Sequence, residues 1–210
     1  VMIRRGILFW VLLMPFLLFG QNRYWVANST TNWSSNSWSS SSGGSADGLG
    51  APTGSQTAIF NGSGIGNCNI DVAASFNNIR VLTGYTAIID LNGNSFTLNG
   101  SSTSTFQDGT INDTPGTSSL NFNTTGTINF IGSNFNSSIT GSASRIHFSG
   151  GIFNNLIDVE SNSSGSGSGI GGCVFNDKVK IEEVNEISEL EGKDDSLSTH
   201  PSIDERRENF

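Results

Sequence analysis

The sequence predicts an all-β protein built as a right-handed parallel β-helix, and three observations lead there. The segment Thr127–Thr140 returns 18 positions later as Arg145–Asp158, with Ile, Phe, Gly, Phe, Asn and Ile at matching places. Such a short period marks one coil of a strand-built solenoid, which buries its face only against its neighbours. Apolar and polar residues alternate through short runs from Cys68 onward, the period-2 signature of strands with one buried face. Between the runs stand Asn92-Gly93, Asn99-Gly100, Asp108-Gly109 and Gly150-Gly151, which suit turns requiring positive φ. A β-sandwich, which also shows short strands at about 8–12-residue spacing, is the alternative fold. Within the repeat the apolar positions 128, 130, 135 and 139 do not fall six apart, which favours the right-handed form over a hexapeptide helix.

The chain begins with what reads as an export signal over residues 1–20. Arg4 and Arg5 supply a positive start, and Ile7–Phe19 is an apolar run broken only by Pro15. The run is shorter than the about 20 residues a bilayer span takes, so cleavage is expected near Gly20–Gln21, leaving no membrane span in the mature chain. An uncleaved anchor is the alternative, since Leu18 is bulky where a small residue is preferred.

Residues 21–66 form a Trp-rich N-terminal segment. It carries Arg23-Tyr24-Trp25-Val26, Asn32-Trp33 and Ser37-Trp38-Ser39, then a Gly/Ser-rich stretch, Gly50-Ala51-Pro52 and Thr57-Ala58-Ile59-Phe60. This layout resembles the N-terminal module of large secreted β-helical surface proteins of Bacteroidetes-type bacteria. It is also similar to the opening of autotransporter-associated β-strand proteins. The serine-rich stretch and Gln56 depart from that pattern. The resemblance implies an exported, adhesin-like cell-surface protein. Physically, the aromatic residues are expected to cap the first coil, whose core face and backbone edge need cover. Exposed Trp33 and Trp38 rings stacking on sugars are the competing expectation.

Residues 67–176 are expected to form the coils, with strands such as Asn78–Val81, Thr127–Phe130, Arg145–Phe148 and Cys173–Phe175. An exported chain invites a disulfide. Yet Cys68 and Cys173 are 105 positions apart, about six coils of the repeat, hence on the order of 25 Å at about 4.8 Å per stacked strand. A bridge needs Cα atoms within about 7 Å, so both are expected as buried, unpaired thiols.

Residues 177–210 change character: 16 of the chain's charged residues lie here, and Lys178–Leu190 has a helix-like apolar spacing. A charged tail, partly helical or disordered, is expected. The body from 21 to 176 holds only Arg23, Arg80 and Arg145, no lysine, and seven scattered acids. Nucleic-acid binding, which takes clustered Lys or Arg to displace counterions from phosphate, is thereby excluded.

Asp90-Leu91-Asn92-Gly93-Asn94 spaces oxygens as a calcium loop does, but Ser95 and Ser101 stand where an EF-hand needs glycine and glutamate, so a plain turn is expected. Arg145 and His147 flank Ile146 and should face outward together, where they suit an acidic sugar. No catalytic, cofactor or metal residues are assigned, and no cofactor is expected. The acids are too scattered, and the cations too few, for a β-helical polysaccharide lyase. The expectation is a non-enzymatic structural or adhesive segment binding glycans or other cell-surface components, with Trp33, Trp38, Arg145 and His147 as candidate glycan contacts. The alternative is a carbohydrate-active β-helix enzyme, lyase or glycoside hydrolase, or a carbohydrate-binding module. A gene fragment without independent function is a third reading.

Overall fold

The computed structural model describes residues 22–162 and 169–183, which form β-strands and no helix. The expected export signal, and the tail beyond residue 183, lie outside the described residues. The first coil contributes β1 (Asn22–Trp25), β2 (Thr31–Asn32) and β3 (Trp38–Ser39). Each later coil contributes three strands. They are β4 (Thr57–Phe60), β5 (Cys68–Asn69) and β6 (Ala74–Phe76), then β7 (Asn78–Val81), β8 (Ile88–Asp90) and β9 (Phe96–Leu98). Next come β10 (Ser104–Phe106), β11 (Thr110–Asn112) and β12 (Ser119–Asn123), then β13 (Thr127–Phe130), β14 (Asn134–Asn136) and β15 (Ser138–Ala143). The series ends with β16 (Arg145–Phe148), β17 (Gly151–Phe153) and β18 (Ile157–Ser161), and with β19 (Gly169–Ile170), β20 (Cys173–Phe175) and β21 (Val179–Glu183).

Apart from β3, every third strand joins the same sheet. Sheet A runs β3-β1-β4-β7-β10-β13-β16-β19, sheet B runs β2-β5-β8-β11-β14-β17-β20, and sheet C runs β6-β9-β12-β15-β18-β21. Apart from β3, which lies antiparallel to β1, the described strands pair in parallel. This is a parallel β-solenoid, not a sandwich. The 18-residue repeat is the register itself: Ile128 faces Ile146, Phe130 faces Phe148, Phe135 faces Phe153 and Ile139 faces Ile157. Other coils are longer, with Thr57 facing Asn78 and Arg80 facing Thr105.

Alternation delivers the core. In β13 and β16 the second and fourth residues are buried and the others turn outward. Identical residues at one register position then stack along the coil axis. Phe106, Phe130 and Phe148 form one such ladder, and Phe135, Phe153 and Phe175 another, with successive ring centroids 4.8–5.4 Å apart. Outside, Asn154 Nδ2 donates to Asn136 Oδ1 and Asn176 Nδ2 to Asn154 Oδ1, both at 2.6 Å. At the corners, Asn92, Gly93, Gly109 and Gly151 take positive φ as their turns require. Gly100 does not; a Cβ there would overlap the Asn77 carbonyl oxygen, so close approach explains it.

Residues 21–66 are continuous with the stack: β1 and β4 pair in sheet A, β2 and β5 in sheet B, and Trp33 packs on Phe76 and Phe96 of later coils. Two expectations are corrected. The solenoid does not stop at 176, because Val179–Glu183 is a strand paired along its whole length with β18. Its alternation of Val179 and Ile181 with charged residues has period 2, which outweighs the longer helix-like spacing. Cys68 and Cys173 are free as expected, but only Cys68 is buried. The two lie five strand steps apart in sheet B, about 24 Å at about 4.8 Å per step. Fewer, longer coils give almost the distance expected from the 18-residue period. Cys173 is half-exposed because it sits in the last described coil.

Candidate functional site

Five of the seven scattered acids are held in corner or Arg23 contacts. Asp90 accepts hydrogen bonds from the Asn92 and Thr114 N–H groups, both 3.0 Å, and from the Thr114 hydroxyl. Those contacts outweigh the burial that would raise its pKa, which ends below the ordinary carboxylate value. The Asp90–Asn94 segment is thus a turn fastened by its own carboxylate. Asp113 accepts from Gly93 N at 2.8 Å and Ser118 N at 2.6 Å, and Asp108 from Gly84 N and Gly109 N. Asp71, partly buried, is likewise held below its ordinary pKa by the hydroxyl and N–H of Ser34. An anion at a corner satisfies backbone N–H groups that no strand partner can reach.

Asp47 has the strongest partner. Arg23 is fully buried, and its guanidinium donates to both Asp47 oxygens at 2.8 Å and to the Gly50 carbonyl. The Arg23 guanidinium holds the Asp47 carboxyl well below the usual carboxylate range, against a smaller opposing effect of burial, with help from the Leu49 and Ser40 N–H groups. This pair was missed in the sequence, although Arg23 and Asp47 are the only charged residues between 21 and 66.

The four candidate glycan contacts divide. Trp33 and Trp38 are 2% and 0% exposed, each ring packed edge-on or tilted against other aromatics, so neither presents a face to a sugar. Trp38 Nε1 donates to the Trp33 carbonyl and Trp25 Nε1 to the Gly66 carbonyl, both at 2.9 Å, which lets indoles sit inside without an orphaned donor. Arg145 is exposed and His147 half-exposed, while Ile146 and Phe148 between and beyond them are buried.

Sheet A brings to these two a residue the sequence did not single out. Arg80 alternates with buried Ile79 and Val81 in β7, so it points outward. Registers place Arg80, Thr105, Asn129 and His147 in one outward row. Arg80 and His147 are three strand steps apart, about 14 Å at about 4.8 Å per step. Arg80 lines a groove of about 300 Å³ together with Asn22, Thr57, Ser102, Thr103 and Thr105. Sheet C has a larger groove of about 540 Å³, lined by Thr97, Asn121, Thr140, Asp158, Lys180 and Glu182 among others. There Lys180 sits 3.0 Å from Glu182 and 3.6 Å from Asp158, all more than half or half exposed. The outer faces therefore differ in sign: cations on sheet A, mostly acids on sheet C.

Among the described residues, no three His, Cys, Asp or Glu side chains group as metal ligands would, and no helix is long and apolar enough to cross a membrane. No family model, no curated protein and no solved structure matches this chain.

Proposed function

We propose that this chain is a non-enzymatic structural and adhesive segment of an exported, Bacteroidetes-type surface protein that binds glycans through an outer face of its solenoid. The observation that carries this reading is the separation of acids from cations. Five of the seven body acids are engaged in corner or Arg23 contacts. The other two, Asp158 and Glu160, lie on sheet C, away from Arg80, Arg145 and His147 on sheet A. A lyase or hydrolase reading needs an acid and a base converging within hydrogen-bond reach of one substrate atom. A stiff stack with a long polar flank instead suits repeated weak contacts with a polymer, whose avidity exceeds that of any single contact. Residues 1–20 support the exported placement.

The test is a glycan array probed with the whole chain, followed by incubation with each bound polysaccharide. Binding without new reducing or unsaturated ends is the expected outcome. Turnover of a bound glycan would overturn the non-enzymatic reading, and the absence of any bound glycan would overturn the adhesive one.

A further inference from the structure

Arg80 and Arg145 are 65 positions apart in sequence, yet the solenoid sets them on one face with His147. Among the described residues, the strands of sheet A contain no Asp or Glu. Arg80 is exposed, lines the 300 Å³ groove and takes part in no ion pair or hydrogen bond among the described residues. Two other cations of the described coils are already engaged: Arg23 is clamped on Asp47, and Lys180 lies between Asp158 and Glu182. A free guanidinium is a planar fork matched to a carboxylate, and the side chains beside it supply only hydroxyl and amide groups, the partners of sugar hydroxyls.

We infer that the sheet A groove binds an anionic polysaccharide, with a sugar carboxylate on Arg80 and the chain running along the coil axis towards His147 and Arg145. The row from Arg80 to His147, about 14 Å at about 4.8 Å per strand step, is longer than one sugar ring, so the ligand is a polymer and not a free sugar acid. Neutral glycans would leave the guanidinium unmatched. This inference rests on the adhesive reading above and adds to it the charge of the ligand, the face used and the anchoring residue.

The experiment uses the full chain with polygalacturonate and with its fully methyl-esterified form, which keeps the sugars and removes the charge. Binding is measured by calorimetry at low and high salt, with sedimentation of the protein alone. Polygalacturonate should bind and the ester should not, and binding should weaken with salt. Arg80→Ala should weaken it about tenfold, the size of one charge-assisted contact. Arg145→Ala, further from the groove, should weaken it less, and Lys180→Ala on sheet C should change nothing. Thermal melts of the variants should match the parent, since all three side chains are exposed.

Equal binding of acid and ester, or unchanged binding by Arg80→Ala, would overturn the inference. Glycan binding that is indifferent to charge would do so while leaving the adhesive reading standing. Loss of all glycan binding would remove both. Self-association abolished by Arg80→Ala would assign the face to the acidic sheet C of a second copy, and so overturn the inference as well.

Discussion

The first coil and the coil of 18 residues are built from the same strands but held by different means. In the first coil Asn22 faces Thr57, so 35 residues separate paired positions. Its long excursions are fastened by individual side chains: Arg23 on the Asp47 carboxylate, Trp25 Nε1 on the Gly66 carbonyl and Trp38 Nε1 on the Trp33 carbonyl. In the coil that joins Thr127 to Arg145, the turns are short and most positions pair with the next coil. The same side chain then serves at each level, as Phe130 does over Phe148 and Phe135 over Phe153. A long coil needs individual contacts; a short one needs only repetition.

That contrast can be broken from either side. The largest effects belong to the cores: Phe130→Ala and Trp38→Ala should each cost about 3–5 kcal/mol, as large-to-small changes at buried aromatics do. Urea unfolding followed by fluorescence and by circular dichroism would measure both. Coincident transitions would show the two regions unfolding together, whereas an early transition in Trp38→Ala alone would mean that the first coil unfolds by itself. Gly66→Ala comes next. An added Cβ would overlap the Ser29 carbonyl oxygen in the first coil, and overpacking of this kind costs about 1–3 kcal/mol; a melting temperature equal to the parent's would contradict the tight packing of that coil.

Acid should act mainly on the first coil. The folded-state pKa of Asp47 lies below its unfolded value, so its contribution is complete above about pH 4 and is lost as pH falls below that. Asp71 and Asp90 are lowered too and act in the same direction. Arg23→Met should therefore flatten, but not abolish, the loss of stability between neutral and strongly acid pH. A pH profile identical to the parent's would show that the Arg23–Asp47 pair carries none of it. The smallest effect is expected on the outside of the repetitive coils: Asn154→Ala removes two amide hydrogen bonds at exposed positions and should cost no more than about 1 kcal/mol.

How much could be read in advance follows the same contrast. The strands Asn78–Val81, Thr127–Phe130, Arg145–Phe148 and Cys173–Phe175 were legible with their bounds, because period-2 alternation is a local property of a strand with one wet face. The outward direction of Arg145 and His147 followed from it. Val179–Glu183 was not legible, since five residues of alternation sit inside a longer stretch with helical spacing. Trp33 and Trp38 were ambiguous, because an indole suits both a core and a sugar platform, and only their packing on Phe60 and Phe76 decides. Arg80 was legible as an outward residue but not as a groove residue.

The sequence by itself determined the all-β character, the coil of 18 residues and the inability of Cys68 to reach Cys173, all consequences of local alternation and a repeated period. Only the tertiary structure decided which distant residues share a face. Coils of unequal length put Arg80 in the row of His147 and Asp158 on another sheet. It also decided that Asp47 belongs to Arg23. The physical reason is that register along the stack depends on how many residues each corner loop consumes, and loop length leaves no periodic trace in the chain.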